Sequence, residues 1–161
     1  MPNSNTFDIK PIKELIHKYI SPNRIIIDPF ANKNTIANIT NDLDTQYDTN
    51  YNLDALEFLK LFEDESVDMV LYDPPYSPRQ VSECYKKLNH SVNMQTTQAS
   101  YWSNQKKEIS RIVAPEGIVI SCSWNSGGIG NKYGFEIVEI LLVPHGGWHN
   151  DTIVVVEKKW Y

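Results

Sequence analysis

The sequence predicts an α/β protein: an open, mostly parallel central sheet with helices on both faces and a C-terminal antiparallel hairpin. Three observations carry this reading. Short apolar runs of strand length alternate with stretches whose apolar residues recur at helical spacing. The first such run, Arg24-Ile25-Ile26-Ile27-Asp28, is apolar until it ends on an acid, as a strand buried on both faces would be. The last two runs are joined by Pro144-His145-Gly146-Gly147-Trp148-His149-Asn150, too short for a crossover helix, so they pair antiparallel. At 161 residues, with no internal repeat or linker-like tract, the chain is expected to form one domain.

The elements follow in order. Ile9, Ile12, Leu15, Ile16 and Tyr19 lie near helical spacing, and Ser21-Pro22 stops a helix over 8–20. Residues 24–28 form the first strand. Residues 36–40, leading into Asn41-Asp42, read as a second, and 47–53 as a third. Asp54 then opens a helix over 54–60, serving as its N-cap with Glu57 three residues on. Residues 67–72 make a fourth strand that delivers Asp73. Helical pattern resumes over 78–88 and 99–113, around a polar stretch at 89–97. Residues 117–122 are the fifth strand, ending at Ser123-Trp124-Asn125 and a glycine-rich turn, and 135–143 and 152–157 are the closing hairpin. The crossover helices near the start are pared down: only thirteen residues separate Asp28 from Asp42, so the first must be very short and the next nearly absent.

Composition excludes several classes. Hydrophobic residues at 41% and charged residues at 22% sit near globular averages, which argues against disorder or a disulfide scaffold. No apolar run approaches the roughly 18 residues that span a bilayer, and Met1-Pro2-Asn3-Ser4-Asn5-Thr6 has neither basic nor hydrophobic signal character. A cytoplasmic protein without membrane contact is expected. Cys84 and Cys122 lack metal spacing and read as reduced packing residues. His145, His149 and Asp151 have no further clustered ligand, so no metal site is expected. A net charge of -5 argues against coating nucleic acid by bulk attraction, and leaves local basic spots such as Arg79, Lys86 and Lys87, or Lys106, Lys107 and Arg111.

In open α/β sheets, ligands bind beyond the carboxyl ends of the strands. Asp28, Asp42, Asp54 and Asp73 close the first four strand segments and would gather on that edge. One such aspartate is ordinarily a cap or turn residue. Four in series, followed by Asp73-Pro74-Pro75-Tyr76, point to a site. The two prolines remove two backbone donors and fix the chain where a sheet would otherwise continue. A carboxylate, two carbonyls aimed outward and an aromatic ring are thereby held together.

These motifs resemble those of S-adenosylmethionine-dependent amino-methyltransferases, in particular the small adenine-specific DNA methyltransferases often found in phages and prophages. The similarity covers most of the chain and implies a Rossmann-like class I methyltransferase fold, S-adenosylmethionine as cofactor and transfer of its methyl group to the N6 amine of adenine. By that resemblance Asp28, Pro29, Phe30 and Ala31 cradle the methionine end of the cofactor, Asp42 binds the ribose hydroxyls, and Asp54 and Ala55 flank the adenine. Asp73, Pro74, Pro75 and Tyr76 are the catalytic residues, Asp73 also bordering the cofactor. The Asp73 carboxylate and the Pro74 carbonyl would each accept one N–H of the target amine, freeing its lone pair, while Tyr76 stacks on a base flipped from double-stranded DNA. The scheme needs no strong base, and so no shifted pKa at Asp73.

The family usually has F-x-G-x-G after its first strand, where this chain has Phe30-Ala31-Asn32-Lys33-Asn34; Asn32 or Asn34 could take a left-handed turn in place of glycine. The order of motifs, with no long insertion between them, leaves little room for a separate target-recognition domain, and none is expected. Recognition therefore falls to residues 79–98, the 123–132 turn and the 145–150 hairpin with Trp124 and Trp148, alone or shared across a homodimer. Rival readings are methylation of RNA, of cytosine N4 or of a protein glutamine. Another is a catalytically silent fold that binds nucleic acid or a partner subunit. Asp73 favours adenine, because the glutamine enzymes usually show asparagine there and the cytosine enzymes more often serine.

Overall fold

The computed structural model describes residues 5–88 and 99–160. After a 3₁₀ turn at Thr6–Asp8 come α1 (Lys10–Tyr19), β1 (Ile26–Asp28), β2 (Ile39–Thr40), α2 (Ala55–Leu59) and β3 (Val67–Tyr72). The chain continues through α3 (Pro78–Lys87), a helix at Ser100–Ile112 that we call α4, β4 (Val113–Ser123), a 3₁₀ turn at Asn131–Tyr133, β5 (Phe135–Val143) and β6 (Thr152–Lys159). The strands form one sheet in the order β2-β1-β3-β4-β6-β5. The first four are parallel, and β6 is antiparallel to both β4 and β5. This is the predicted class, with the hairpin closing so that its second strand, not its first, lies against β4.

Alternation along the central strands builds a core on each face. Met69 and Leu71 of β3 point to the side covered by Ile12, Leu15 and Ile16 of α1. Val70 and Tyr72 point to the other side, covered by Phe58 and Leu59 of α2 and by Ile109 and Ile112 of α4. With both faces covered, the central strands read as continuous apolar runs, which is why they stand out in the sequence.

The N-terminal half departs from expectation. Residues 47–53 form no strand; their one ladder contact is a single parallel bridge between Asn41 and Tyr51. β2 is two residues long, and the connection between β1 and β2 carries no helix at all. Side-chain amides bond this segment instead. Asn41, fully buried, donates to the carbonyls of Pro29 (3.1 Å) and Leu53 (2.9 Å) and accepts the Leu53 N–H (2.9 Å). Asn50 accepts the Thr40 N–H at 2.9 Å, and Asn52 donates to the carbonyls of Asp42 and Asp44 at 3.1 and 3.3 Å. Asparagine readily offers the backbone such local partners in place of a ladder.

The C-terminal half is longer than predicted. β4 starts where α4 stops, passing Glu116 at φ 69°. A Cβ on the next residue, Gly117, would lie 2.5 Å from Val113 Cγ1, so only glycine fits this bend. β6 runs on to Lys159, whose ammonium donates to the carbonyls of Ser110 and Val113, both at 2.6 Å, at the carboxyl end of α4. Cys122 is buried as expected, whereas Cys84 is exposed on α3. The 89–97 stretch, and with it part of the 79–98 segment, lies outside the described residues.

Candidate active site

Because β1 to β4 are parallel, Asp28, Asp42, Asp73 and Ser123 emerge on one edge of the sheet, and β5 brings the 144–150 connection to the same edge. Asp54 joins them as the N-cap of α2, its Oδ1 accepting the Leu56 N–H at 3.0 Å. Its other oxygen accepts the Tyr85 hydroxyl from α3.

Two cavities open on this edge, divided by the Asp73 to Tyr76 run. The first, about 220 Å³, is bordered by Pro29, Phe30, Asn32, Asp42, Asp44, Leu53, Asp54, Ala55, Asp73 and Pro75. The second, about 200 Å³, is bordered by Tyr72, Pro74, Pro75, Tyr76, Trp102, Lys106, Ser121 and Asn125. Pro75 walls both.

In the first cavity, Asn32 takes the left-handed conformation at φ 54°, as predicted for a glycine substitute, and Asn34 does not. Its N–H donates to Asp42 Oδ2 at 2.9 Å, and Asp44 N–H donates to Asp42 Oδ1 at 2.9 Å. Burial raises the Asp42 pKa and these two bonds oppose the rise. Asp28 and Ala31 do not border the cavity but lie buried beside it. Asp28 Oδ1 accepts the Phe30 N–H at 3.0 Å, while its Oδ2 is buried without a partner among the described residues. Burial holds the Asp28 pKa well above the usual carboxylate range.

The dividing run is tied down differently from what its sequence implied. The Pro75 carbonyl is not free to face outward: the Trp102 indole N–H donates to it at 2.8 Å. No described residue donates to the Pro74 carbonyl. Tyr76 donates its hydroxyl to Asp73 Oδ1 at 2.8 Å and its N–H to Gln80 Oε1 at 2.7 Å. Its ring meets Trp124 edge-on, centroids 5.6 Å apart. Asp73 is 4% exposed. Burial pushes its pKa up to about 6, against the lowering effect of the Tyr76 hydroxyl, a shift that the scheme read from the sequence does not itself require.

Residues that sequence reasoning did not single out hold this site together: Asn41, which joins the loop after β1 to the start of α2, and Gln80 and Trp102, which fix the proline run. Trp102 and Gln80 lie in stretches correctly read as helices, but their sequence positions carry no sign of the backbone groups they reach. Trp148 is fully exposed, and His145 Nε2 shares a 2.7 Å hydrogen bond with Thr152 Oγ1. No group of three potential metal ligands occurs among the described residues. Nor, among them, is any helix long and apolar enough to cross a membrane.

No protein-family model matches the sequence, and no curated protein matches it. Solved structures do resemble the fold. A SAM-dependent methyltransferase from Methanosarcina mazei aligns with a TM-score of 0.57 at 12% identity, over 91% of this chain and 97% of its own. The 1,6-didemethyltoxoflavin-N1-methyltransferase of Burkholderia thailandensis, with 1,6-didemethyltoxoflavin and S-adenosylhomocysteine bound, aligns with a TM-score of 0.61 at 11% identity, over 94% of this chain and 78% of its own. TrmN from Thermus thermophilus aligns with a TM-score of 0.58 at 16% identity, over 91% of this chain and 47% of its own. The chain thus spans about half the length of several proteins it resembles. Identities this low define the fold alone: a Rossmann-like class I methyltransferase fold.

Proposed function

We propose that this protein is an S-adenosylmethionine-dependent methyltransferase acting on the N6 amine of adenine in DNA. One observation carries the reading: the rigid Asp73-Pro74-Pro75-Tyr76 run stands between two cavities, with one proline ring bordering both. That is the arrangement a direct transfer between two bound molecules needs.

The first cavity suits this cofactor on chemical grounds. Asp42, Asp44, Asp54 and Asp73 border it, with Lys87 as its one basic residue among the described residues, so it disfavours phosphate-bearing cofactors and favours a hydroxyl-rich nucleoside that carries positive charge. Asp42 retains lone pairs for ribose hydroxyls after accepting two N–H groups, and Phe30, Leu53 and Ala55 provide apolar surface for a flat ring. Asn32 does the work of a glycine at the close turn. S-adenosylmethionine, when bound, supplies a methyl group on a cationic sulfur.

The chain's own residues then act on the acceptor. An exocyclic base amine is a poor nucleophile because its lone pair is delocalised into the ring. The Pro74 carbonyl, which has no donor among the described residues, accepts one N–H. Asp73 accepts the other, through Oδ2 while Tyr76 holds Oδ1. The nitrogen becomes pyramidal and its lone pair turns toward the first cavity. After transfer the nitrogen carries an extra proton, which Asp73, with a pKa of about 6, is able to take up. Trp102 keeps the Pro75 carbonyl occupied, which fixes the neighbouring Pro74 carbonyl in place.

Expression of the protein in a host lacking adenine methylation, followed by mass spectrometry of digested DNA, tests the proposal. We expect N6-methyladenine with the native chain and a loss of at least about 10³-fold for Asp73→Ala, whose fold and S-adenosylhomocysteine binding survive. Undiminished transfer by Asp73→Ala would refute the role of that carboxylate. Calorimetry without S-adenosylhomocysteine uptake by the native chain would refute the enzyme.

A further inference from the structure

The second cavity has apolar walls and an unsatisfied polar end. Pro75, Tyr76 and Trp102 provide flat surface. Ser121, on β4, is 5% exposed, and its hydroxyl has no partner among the described residues. Lys106, on α4, borders the same space half-buried and makes no hydrogen bond or ion pair among the described residues. Its nearby countercharge, Glu157, is committed to the N–H groups of Ile129 (2.7 Å) and Gly130 (2.9 Å). Burial lowers the Lys106 pKa, and Glu157 opposes that shift. A half-desolvated ammonium and a buried hydroxyl without partners are costly unless something in the cavity bonds to them.

We propose that Lys106, with Ser121, is a specificity-determining residue that reads the acceptor ring. The ring carrying the reacting amine presents a bare nitrogen beside that amine, and the Lys106 ammonium donates to it. This inference rests on the amine-methylation reading above and adds to it. Adenine has such a nitrogen on each side of its amine, N1 and N7. An amine flanked by C–H groups offers nothing to an ammonium. The flat walls and the adjacent Asp73 carboxylate favour a neutral ring over a phosphate as the partner of Lys106.

Methyl transfer to a short oligonucleotide with one central adenine tests this, compared with the same strand carrying 1-deazaadenine or 7-deazaadenine. For the native protein we expect one of the two analogues to raise KM about tenfold or more, the loss typical of a missing hydrogen bond to a charged group. Lys106→Met should raise KM for adenine by a similar factor with little change in kcat and none in S-adenosylhomocysteine affinity, which reports an intact fold. It should also erase the difference between the adenine and deaza strands. Lys106→Arg should restore part of the discrimination, and Ser121→Ala should weaken it. If the native protein methylates all three strands alike, or Lys106→Met keeps full discrimination, the inference is overturned while the methyltransferase reading stands. If it binds S-adenosylhomocysteine yet methylates none of them, the adenine reading falls and this inference falls with it. A discrimination that depends only on a phosphate beside the base, equal for every ring, would assign Lys106 to the backbone and also overturn it.

Discussion

The two halves of the sheet hold themselves together by different means. The C-terminal half has strands of 11, 9 and 8 residues, paired in long ladders with one bulge in β5 between Ile137 and Glu139. The N-terminal half has strands of 3 and 2 residues, no helix between them, and a five-residue α2. Where the C-terminal half relies on many equivalent backbone bonds, the N-terminal half relies on a few side chains, each doing what several ladder bonds would do. The acid-lined cavity is built in the N-terminal half. A cavity needs backbone that is not consumed by strand pairing, and amides such as Asn41 satisfy that backbone while leaving its loops apart.

Three substitutions would break or sharpen this contrast. The largest effect is expected from Asn41→Ala, which deletes three hydrogen bonds at a fully buried position and leaves two carbonyls and an N–H without partners. We expect about 3–4 kcal/mol of destabilisation in chemical denaturation. S-adenosylhomocysteine binding should fall with it, because Pro29 and Leu53 border the cavity. A loss below about 1 kcal/mol would show that the N-terminal half is held by something other than its amides.

Glu157→Gln, the matching change in the C-terminal half, should cost less, about 2 kcal/mol. One of the two N–H groups that Glu157 accepts would then face an amide NH₂. The long ladders around it remain, so S-adenosylhomocysteine affinity should be unchanged. An equal loss of binding in both variants would erase the distinction between the halves.

The smallest effect sits at their junction. In the proposed reaction Asp73 acts as a carboxylate, so activity should rise with pH through a midpoint near 6. Stability should run the other way. A folded pKa raised above the ordinary 3.8 favours the protonated folded state, so this contribution is complete below about pH 4, declines as pH rises, and is lost above about pH 6. Tyr76→Phe removes the hydroxyl that favours the ionised form and should move the activity midpoint upward by about one unit. An unmoved or lowered midpoint in the pH–rate profile would separate Tyr76 from Asp73.

The parts of the fold legible in the sequence are those where period and burial coincide. β3, α3, α4 and the closing hairpin have runs long enough for their apolar spacing to be unambiguous, and the Asp54 cap and the left-handed Asn32 follow from the chemistry of single residues. Residues 47–53 misled because alternation over a polar stretch looks like a strand whether its hydrogen bonds go to a ladder or to the amides of Asn41, Asn50 and Asn52. The Asp73-Pro74-Pro75-Tyr76 run pointed to the candidate site, but not to the state of its atoms. Trp102 is 27 residues from the carbonyl it binds, and Gln80 is a turn of helix away; neither contact has a local signature. Lys106 looked like one basic residue among several on a helix face. Only its place on the second cavity with Ser121, and with Glu157 nearby, sets it apart.

The position of β6 between β4 and β5 also has a bearing on synthesis. β5 has a single partner in the sheet, and that partner is translated after it. As the nascent chain leaves the ribosome, Phe135-Glu136-Ile137-Val138-Glu139-Ile140-Leu141-Leu142-Val143 therefore emerges before the strand it pairs with, and finds α1 already made, whose Lys18 and Tyr19 reach Glu139. During that interval it is an apolar segment open to chaperones or to other nascent chains, and the sheet closes only once the following strand has slid in beside it.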